Sequence, residues 1–194
     1  MPLRVTRVGG QPWKMLIACL LLGGFAWAAP APVTPQARGR EYQVKAVFLF
    51  NFTQFIEWPE DSFEHATAPL VIGVLGEDPF GPYLDETVRG EVANGRPLVI
   101  ERYHRLEEIG HCQVLFVSGS EANRLEQIFA RLNGKRVLTV GDVDRFIGRG
   151  GVIRFATTAG KLRLRINLNA ARAAGLTISS KLLRPAEIVE PGQD

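Results

Sequence analysis

The densest run of large apolar side chains, residues 44–58, predicts a helix. The helix ends near Trp58, because the residue before a proline disfavours helical geometry. A helix that is apolar on most sides needs cover on most sides. Two interpretations stay open: burial within its own domain, or cover from a second subunit or partner. One apolar stripe recurs at helical spacing, namely Val44, Phe48, Phe52 and Phe55. Other apolar residues lie off that stripe, namely Leu49, Phe50 and Ile56.

Further along the chain, short apolar runs alternate with helical segments. Runs that are apolar at nearly every position are typical of strands buried on both faces. Strands that alternate with helices indicate βα units around a mostly parallel sheet. The apolar runs are residues 70–75, 97–100, 113–117 and 136–140. The helical segments are residues 83–88 and 121–132, with a helical turn at 142–147.

The pattern then changes to strict alternation, which predicts an antiparallel hairpin. Residues 152–156 and 161–167 alternate between apolar and polar side chains, and a four-residue connection joins them. The polar face is either a charged edge that deters pairing between sheets or a binding surface for an acidic partner or an anion. The apolar positions are Ile153, Phe155, Leu162, Leu164 and Ile166, and the basic positions are Arg154, Lys161, Arg163 and Arg165.

These elements predict an α/β fold in a single three-layer domain, with a mostly parallel sheet and an antiparallel C-terminal hairpin. A helix at 168–174 follows the hairpin, and residues 182–189 form only short turns because they contain Pro185. We place the domain at residues 41–189, with a disordered leader at 29–40 that is rich in Pro, Ala and Arg, and a tail at 190–194.

The start of the chain has the features of a secretory signal peptide. A basic segment precedes an apolar run at residues 15–27, and a small-x-small site ends at Ala28. The run is too short to span a bilayer as a helix. We therefore expect residues 1–28 to be removed after Ala28, and the mature protein to lie in the periplasm without stable membrane insertion.

Charge and cysteine content change once this segment is removed. The chain has 23 basic and 20 acidic residues, and the predicted signal peptide holds three basic residues and no acidic one, so the mature chain is near neutral. Nucleic-acid binding therefore loses its electrostatic basis. Cys19 leaves with the signal, so Cys112 cannot form an internal disulfide and is expected to be a half-buried side chain at the start of a strand.

The sequence shows no assembled catalytic, metal or cofactor site. It contains neither a phosphate-binding glycine motif nor a nucleophile elbow, and its three histidines lack metal-ligand spacing. We therefore predict a protein that is not an enzyme and that holds no metal or cofactor. Ligands of open α/β sheets bind beyond the carboxyl ends of the strands, where Phe80 and Asp142 mark a weak candidate crevice.

Three parts of the chain together resemble the YfiR-like family of periplasmic proteins. They are the Phe-rich segment with its Trp58-Pro59 end, residues 71–76 with 78–81, and the C-terminal segments 138–141, 150–155, 166–168 and 175–183. The resemblance covers residues 41–189. It implies an exported α/β domain without known enzymatic activity. Such a protein dimerises in the periplasm and restrains an inner-membrane diguanylate cyclase, although relatives also occur beside sensor kinases.

The resemblance has one clear departure. Several relatives pair a cysteine in the first strand with a cysteine before the third strand. The second position resembles Cys112, but Gly73 stands in the corresponding place of the first strand. Redox control through such a bond is therefore not expected.

The sequence and the resemblance together predict a periplasmic regulator that binds and restrains a membrane signalling enzyme, most simply a diguanylate cyclase in cyclic-di-GMP signalling. A homodimer is expected. The main alternative is a small-ligand binding module that feeds a sensor kinase, and an exported hydrolase lacks a nucleophile–base set. The predicted partner-binding residues are Phe52, Phe55, Trp58, Arg154, Arg163 and Arg165.

Overall fold

The computed structural model describes residues 35–158 and 160–190. Most of the strands form one sheet, namely β2 (Leu70–Leu75), β3 (Val92–Ala93), β4 (Arg96–Tyr103), β5 (Val114–Val117), β6 (Leu138–Gly141), β7 (Ile153–Thr158), β8 (Lys161–Ile166) and β10 (Glu187–Ile188). Their order across the sheet is β10-β8-β7-β6-β5-β2-β4-β3. Two further short strands, β1 (Ile56–Glu57) and β9 (Thr177–Ile178), pair with each other. The helices are α1 (Pro35–Phe55), α2 (Pro82–Val88), α3 (Leu125–Leu132), α4 (Leu168–Ala173) and α5 (Ser180–Leu183).

The sheet is mostly parallel and closes on one side with an antiparallel hairpin, as predicted. Strands β4, β2, β5, β6 and β7 are parallel neighbours. Strand β8 runs antiparallel to β7, with Ile153 opposite Ile166. The apolar side chains of the hairpin face the core, except that Leu162 is only half-buried.

The helices cover both faces of the sheet, which gives the predicted three layers. Because successive side chains of a strand point to opposite faces, β2 contributes to two apolar clusters. Ile72 and Val74 lie in a first cluster with α1 and α2, whereas Val71 and Leu75 lie in a second cluster with α3. The first cluster also contains Phe155 of the hairpin, so α1 lies over β7.

Two boundaries differ from the sequence prediction. Helix α1 begins at Pro35, so residues 35–40 of the predicted leader are helical, which agrees with the preference of proline for a first helical turn. The predicted C-terminal turns include a strand, because β10 pairs in parallel with β8 at Arg165 and Ile166. The predicted signal peptide, leader residues 29–34 and tail residues 191–194 lie outside the described residues.

The helix that was predicted to be apolar on most sides is mainly covered by its own domain. Ala46, Leu49 and Phe52 are fully buried. On the opposite side, Val44 and Val47 are each 48% exposed. None of the helices in the described part of the chain is long and apolar enough to cross a membrane.

Candidate functional site

The crevice predicted at the carboxyl edge of the sheet is filled by α1. Asp142 directly follows β6, and the ammonium of Lys45 lies 2.6 Å from its Oδ2 atom. Tyr42 donates its hydroxyl hydrogen to the same oxygen at 2.8 Å. Burial and the neighbouring carboxylate raise the pKa of Tyr42 above its usual range. Lys45 is only 2% exposed. Its ammonium also forms an ion pair with Glu41, one helical turn away, with 2.7 Å between Nζ and Oε1.

Phe80 is part of the same internal arrangement. Its ring is fully buried and meets the rings of Tyr42 and Phe116 edge to face, with centroid distances of 5.4 and 4.8 Å. Its backbone N–H donates to Asp78 Oδ1 at 2.7 Å, which fixes the loop after β2. Phe80 and Asp142, the two residues proposed from the sequence as ligand-binding, are therefore taken up by contacts within the protein. A ligand-binding role for either residue stays a prediction.

Sequence reasoning missed Lys45 and Tyr42. The sequence does contain one signal for a buried charge, because Lys45 lies on a helix with apolar residues on nearly all sides. Such a cation needs a counter-charge when it is buried. Nothing local in the sequence names Asp142 as that counter-charge, because it lies 97 residues further along the chain.

The aromatic residues predicted to bind a partner have mainly structural contacts. Phe52 is fully buried and stacks on Phe155 with a centroid distance of 5.9 Å, so it cannot touch a partner. Phe55 is half-buried against the first apolar cluster. Trp58 is also half-buried, and its indole N–H donates to the carbonyl of Gln113 at 3.1 Å.

Gln113 explains the position of Trp58. Its buried side chain accepts a hydrogen bond from the N–H of Val71 at 2.9 Å and donates to the carbonyl of Ser62 at 2.7 Å. Its own carbonyl also accepts from the N–H of Leu138 at 2.8 Å. Gln113 thus joins the segment after α1 to the amino ends of three strands, and Trp58 is one of its hydrogen-bond donors. We interpret Trp58 as an anchor of the fold.

The apolar side chains that α1 exposes to solvent are not the predicted Phe52, Phe55 and Trp58. Val44 and Val47 are about half exposed, and the half-buried ring of Phe48 lies beside them on the same helix. Phe48 is held from below by Phe155, with a centroid distance of 5.9 Å. We name Val44, Val47 and Phe48 the α1 surface. Large apolar side chains exposed together often mark an interaction site.

The basic side chains of the hairpin are only partly available. Arg154 forms an ion pair with Asp144, and Arg165 lies 3.1 Å from Glu187 of β10. The side chains of these two arginines are mostly buried. Lys161 and Arg163 are exposed, and neither forms an ion pair with any residue in the described ranges.

The predicted partner-binding residues do not form one patch. Phe155 faces α1, and the side chains of a strand alternate between its faces. Arg154 and Arg165, which are opposite each other across the hairpin, therefore point away from α1. The structure separates the aromatic and the basic residues onto two faces of the sheet.

Cys112 is more deeply buried than predicted. Burial, with a smaller contribution from the charge of Glu101, raises the pKa of its thiol to about 12. The place of a partner cysteine is already occupied, because a Cβ atom added to Gly73 would lie 2.6 Å from Cε2 of Tyr103. The Tyr103 hydroxyl donates to Glu101 Oε2 at 2.6 Å, which holds the ring in this position.

A cavity of about 410 Å³ lies at the opposite, amino edge of the sheet. It opens between the end of α3 and the length of α4, and its walls include Phe129, Val152, Asn167 and Ala173. Its size suits a small ligand. Within residues 35–158 and 160–190, no group of three His, Cys, Asp or Glu side chains could hold a metal ion.

Comparison with known proteins identifies the family of this chain. A search of curated proteins finds no match. Among solved structures, a conserved domain protein from Vibrio cholerae O1 biovar El Tor is similar, with a TM-score of 0.46 and 16% identity over 61% of this chain. The match spans about half of that protein, 54% of its chain. The sequence model of the family described as YfiR/HmsC-like matches residues 42–187, nearly the whole described chain. This protein therefore belongs to the YfiR/HmsC-like family.

Proposed function

We propose that this protein is a periplasmic regulator that binds the periplasmic part of an inner-membrane diguanylate cyclase and restrains its activity. The observation that carries the proposal is the family match over residues 42–187. The family is regulatory and non-catalytic, is found in the periplasm, and acts with membrane signalling proteins. Membership therefore supports a role in cyclic-di-GMP signalling. The choice of a cyclase rather than a sensor kinase as the partner is our inference.

The α1 surface is the contact that we assign to the cyclase. We leave Phe52 and Trp58 out of the proposed interface, because Phe52 is fully buried and Trp58 is hydrogen-bonded to Gln113. Val44 and Val47 present aliphatic side chains on a helix that is fixed from beneath by the Lys45–Asp142 pair. A rigid apolar face binds with little loss of conformational entropy, since its side chains are already ordered. We further propose that the protein acts as a homodimer, which sedimentation analysis of the mature chain would detect.

The test compares two exposed valines on opposite faces of the sheet. Val47→Glu places a charge on the α1 surface. Val99→Glu is the matched control, because Val99 is 39% exposed and lies beside Val71 of the second apolar cluster, away from α1. We expect Val47→Glu to raise cellular cyclic-di-GMP as far as gene deletion does, and Val99→Glu to behave like the unmodified protein. Both variants should melt normally, since both side chains are exposed.

Two results would contradict the proposal. If deletion of the gene leaves cyclic-di-GMP unchanged under envelope stress, the protein does not restrain a cyclase. If deletion raises cyclic-di-GMP but Val47→Glu and Val99→Glu do not differ, the α1 surface is not the contact.

Export is a separate part of the proposal. We propose cleavage after Ala28, so that N-terminal sequencing of the periplasmic protein begins at Ala29. Uncut protein in the cytoplasm would contradict it.

The cavity at the amino edge favours a second candidate, a small-ligand module that feeds a sensor kinase. Ala173 lines this cavity and is exposed at its rim. Ala173→Trp should fill the cavity without a large effect on the fold. If signalling depends on a ligand bound there, this variant abolishes the response while Val47→Glu does not. If regulation is by contact through α1, the two variants have the reverse effects.

A further inference from the structure

The outer edge of β8 is only partly covered. Strand β10 pairs with β8 only at Arg165 and Ile166, the last two residues of this six-residue strand. On the other side, β7 pairs with β8 along its whole length, from Ile166 to Lys161. Within the described ranges, no strand lies against the outer edge of β8 between Lys161 and Leu164. An open edge of this kind is a template for an added strand.

The direction of the backbone groups supports this conclusion. The N–H of Asn167 donates to the carbonyl of Val152, so Asn167 faces β7. Its neighbour Ile166 faces the opposite way, since its carbonyl accepts from the N–H of Val189 beyond β10. Backbone groups alternate between the two sides of an antiparallel strand. The N–H and C=O of Leu162, four residues before Ile166, therefore point out of the open edge.

The charges beside this edge favour one kind of strand. Lys161 and Arg163 flank Leu162, and both side chains lie on the face of the hairpin that points away from α1. Both are exposed and without an ion pair among the described residues, whereas Arg154 and Arg165 next to them already have carboxylate partners. The open part of the edge thus carries the unneutralised charge.

A second copy of the same hairpin would not fit. Pairing two β8 edges would bring Lys161 and Arg163 of one chain against the same cations of the other, and like charges across a strand pair are destabilising. The Leu162 side chain, half-buried on the opposite face, offers an apolar contact between the two cations.

We propose that an extended acidic segment of the regulated membrane protein adds to the open edge of β8. Its backbone pairs with Leu162, two carboxylates at alternate positions face Lys161 and Arg163, and the residue between them is apolar. Main-chain hydrogen bonds give such strand addition its affinity, and the alternate side chains give its specificity. The identity of the protein that supplies the segment rests on the function proposed above, whereas the chemistry of the segment follows from the edge itself.

A labelled peptide tests the edge directly. The probe is a fluorescein-labelled peptide of alternating glutamate and valine, measured by fluorescence anisotropy at low salt, with a lysine–valine peptide for comparison. Lys161→Glu with Arg163→Glu should weaken binding of the acidic peptide at least tenfold. The matched control is Arg89→Glu with Arg131→Glu, two exposed cations at the end of α2 and on α3, away from β8 and β10, and it should change binding less than twofold. If both double variants weaken binding equally, the effect comes from net charge alone and the proposal is overturned.

A second variant separates strand addition from charge attraction. Leu162→Pro leaves every charge in place but removes the outward N–H, and proline is tolerated at such edge positions. We expect at least tenfold weaker binding. Leu162→Ala, which keeps the N–H but loses the apolar side chain, is its control and should weaken binding less. Amide NMR shifts of the unmodified protein with the peptide provide a check that needs no variant. Shifts centred on residues 161–164 support strand addition, and shifts centred elsewhere overturn it.

Cell measurements separate this inference from the proposed function. If gene deletion raises cyclic-di-GMP but the Lys161→Glu and Arg163→Glu chain still restrains it, the regulated protein does not supply the segment, and the proposal fails in that part. If deletion has no effect on cyclic-di-GMP while the peptide binds as predicted, the proposed function fails and the edge site stands.

Discussion

Replacing Asp142 with alanine measures how firmly α1 is held on the carboxyl edge of the sheet. The Lys45 side chain is 3% exposed, and Asp142 is one of its two carboxylate partners. The other partner, Glu41, belongs to the same helix and is about one-third exposed. The change leaves a buried ammonium with a weaker partner, and it also removes the acceptor of the Tyr42 hydroxyl.

The magnitude follows from this geometry. Breaking a buried ion pair by removing one partner costs about 3–5 kcal/mol, and we expect about 3 kcal/mol because Glu41 still contacts the ammonium. For a domain of this size, each kcal/mol lowers the midpoint of thermal unfolding by about 2–4 °C, so the midpoint should fall by about 6–12 °C. Replacing both members removes the uncompensated charge, so Lys45→Met with Asp142→Ala should be less destabilising than Asp142→Ala alone.

Urea and thermal unfolding, followed by circular dichroism, provide the measurement. The four chains needed are the unmodified protein, Asp142→Ala, Lys45→Met and the double variant, which form a double-mutant cycle. Hydrogen exchange of residues 41–47 adds a local readout, since loss of the pair should release this part of α1 first. Free energies that simply add in the cycle, or a loss below about 1 kcal/mol for Asp142→Ala, would refute the reasoning.

Three further predictions concern the interior. Gly73→Ala should destabilise the protein by about 1–3 kcal/mol in thermal melts, because its Cβ would stand 2.6 Å from the Tyr103 ring, and Tyr103→Leu in the same chain should recover part of the loss. The Cys112 thiol should resist iodoacetamide in the native protein, and its contribution to stability should fall as the pH rises from about 9 to about 12, because the unfolded thiol loses its proton in that range while the folded thiol keeps it. A pH series of urea unfolding with Cys112→Ala as reference checks this sign. Trp58→Phe should lose at least about 1 kcal/mol in the same unfolding assay, since it removes the hydrogen bond to Gln113 and part of a ring that packs on the first apolar cluster, and unchanged stability would return Trp58 to the list of candidate partner contacts.

The parts of the fold that the sequence predicts are those with a strong local pattern. The central strands read as apolar runs because both of their faces are covered, and the hairpin alternates because only one face meets α1. Strand β10 was missed because two paired residues after Pro185 leave no periodic pattern. The beginning of α1 was missed because its Pro- and Arg-containing start has the composition of a linker.

The candidate site was less predictable for a physical reason. On a helix with apolar residues on most sides, periodicity cannot say which side is buried. The choice between Phe52 and Val47 is made by Phe155, which is remote in sequence and stacks on Phe52. Similarly, the alternation of the hairpin gives the face of Arg163 correctly, but the neutralisation of Arg165 depends on Glu187 of the unpredicted strand.

The contact between α1 and Asp142 also has a consequence for the order of folding. Asp142 lies 97 residues after Lys45, and contacts between residues so far apart in sequence form slowly because a long loop must close first. The stacking partner Phe155 comes later still. The first helix of the domain therefore completes its native contacts only when these later segments have joined the sheet, and until then only earlier elements such as β2 and α2 can cover its phenylalanines. A chain cut short before residue 142 would keep α1 without its counter-charge, and such fragments should aggregate rather than fold.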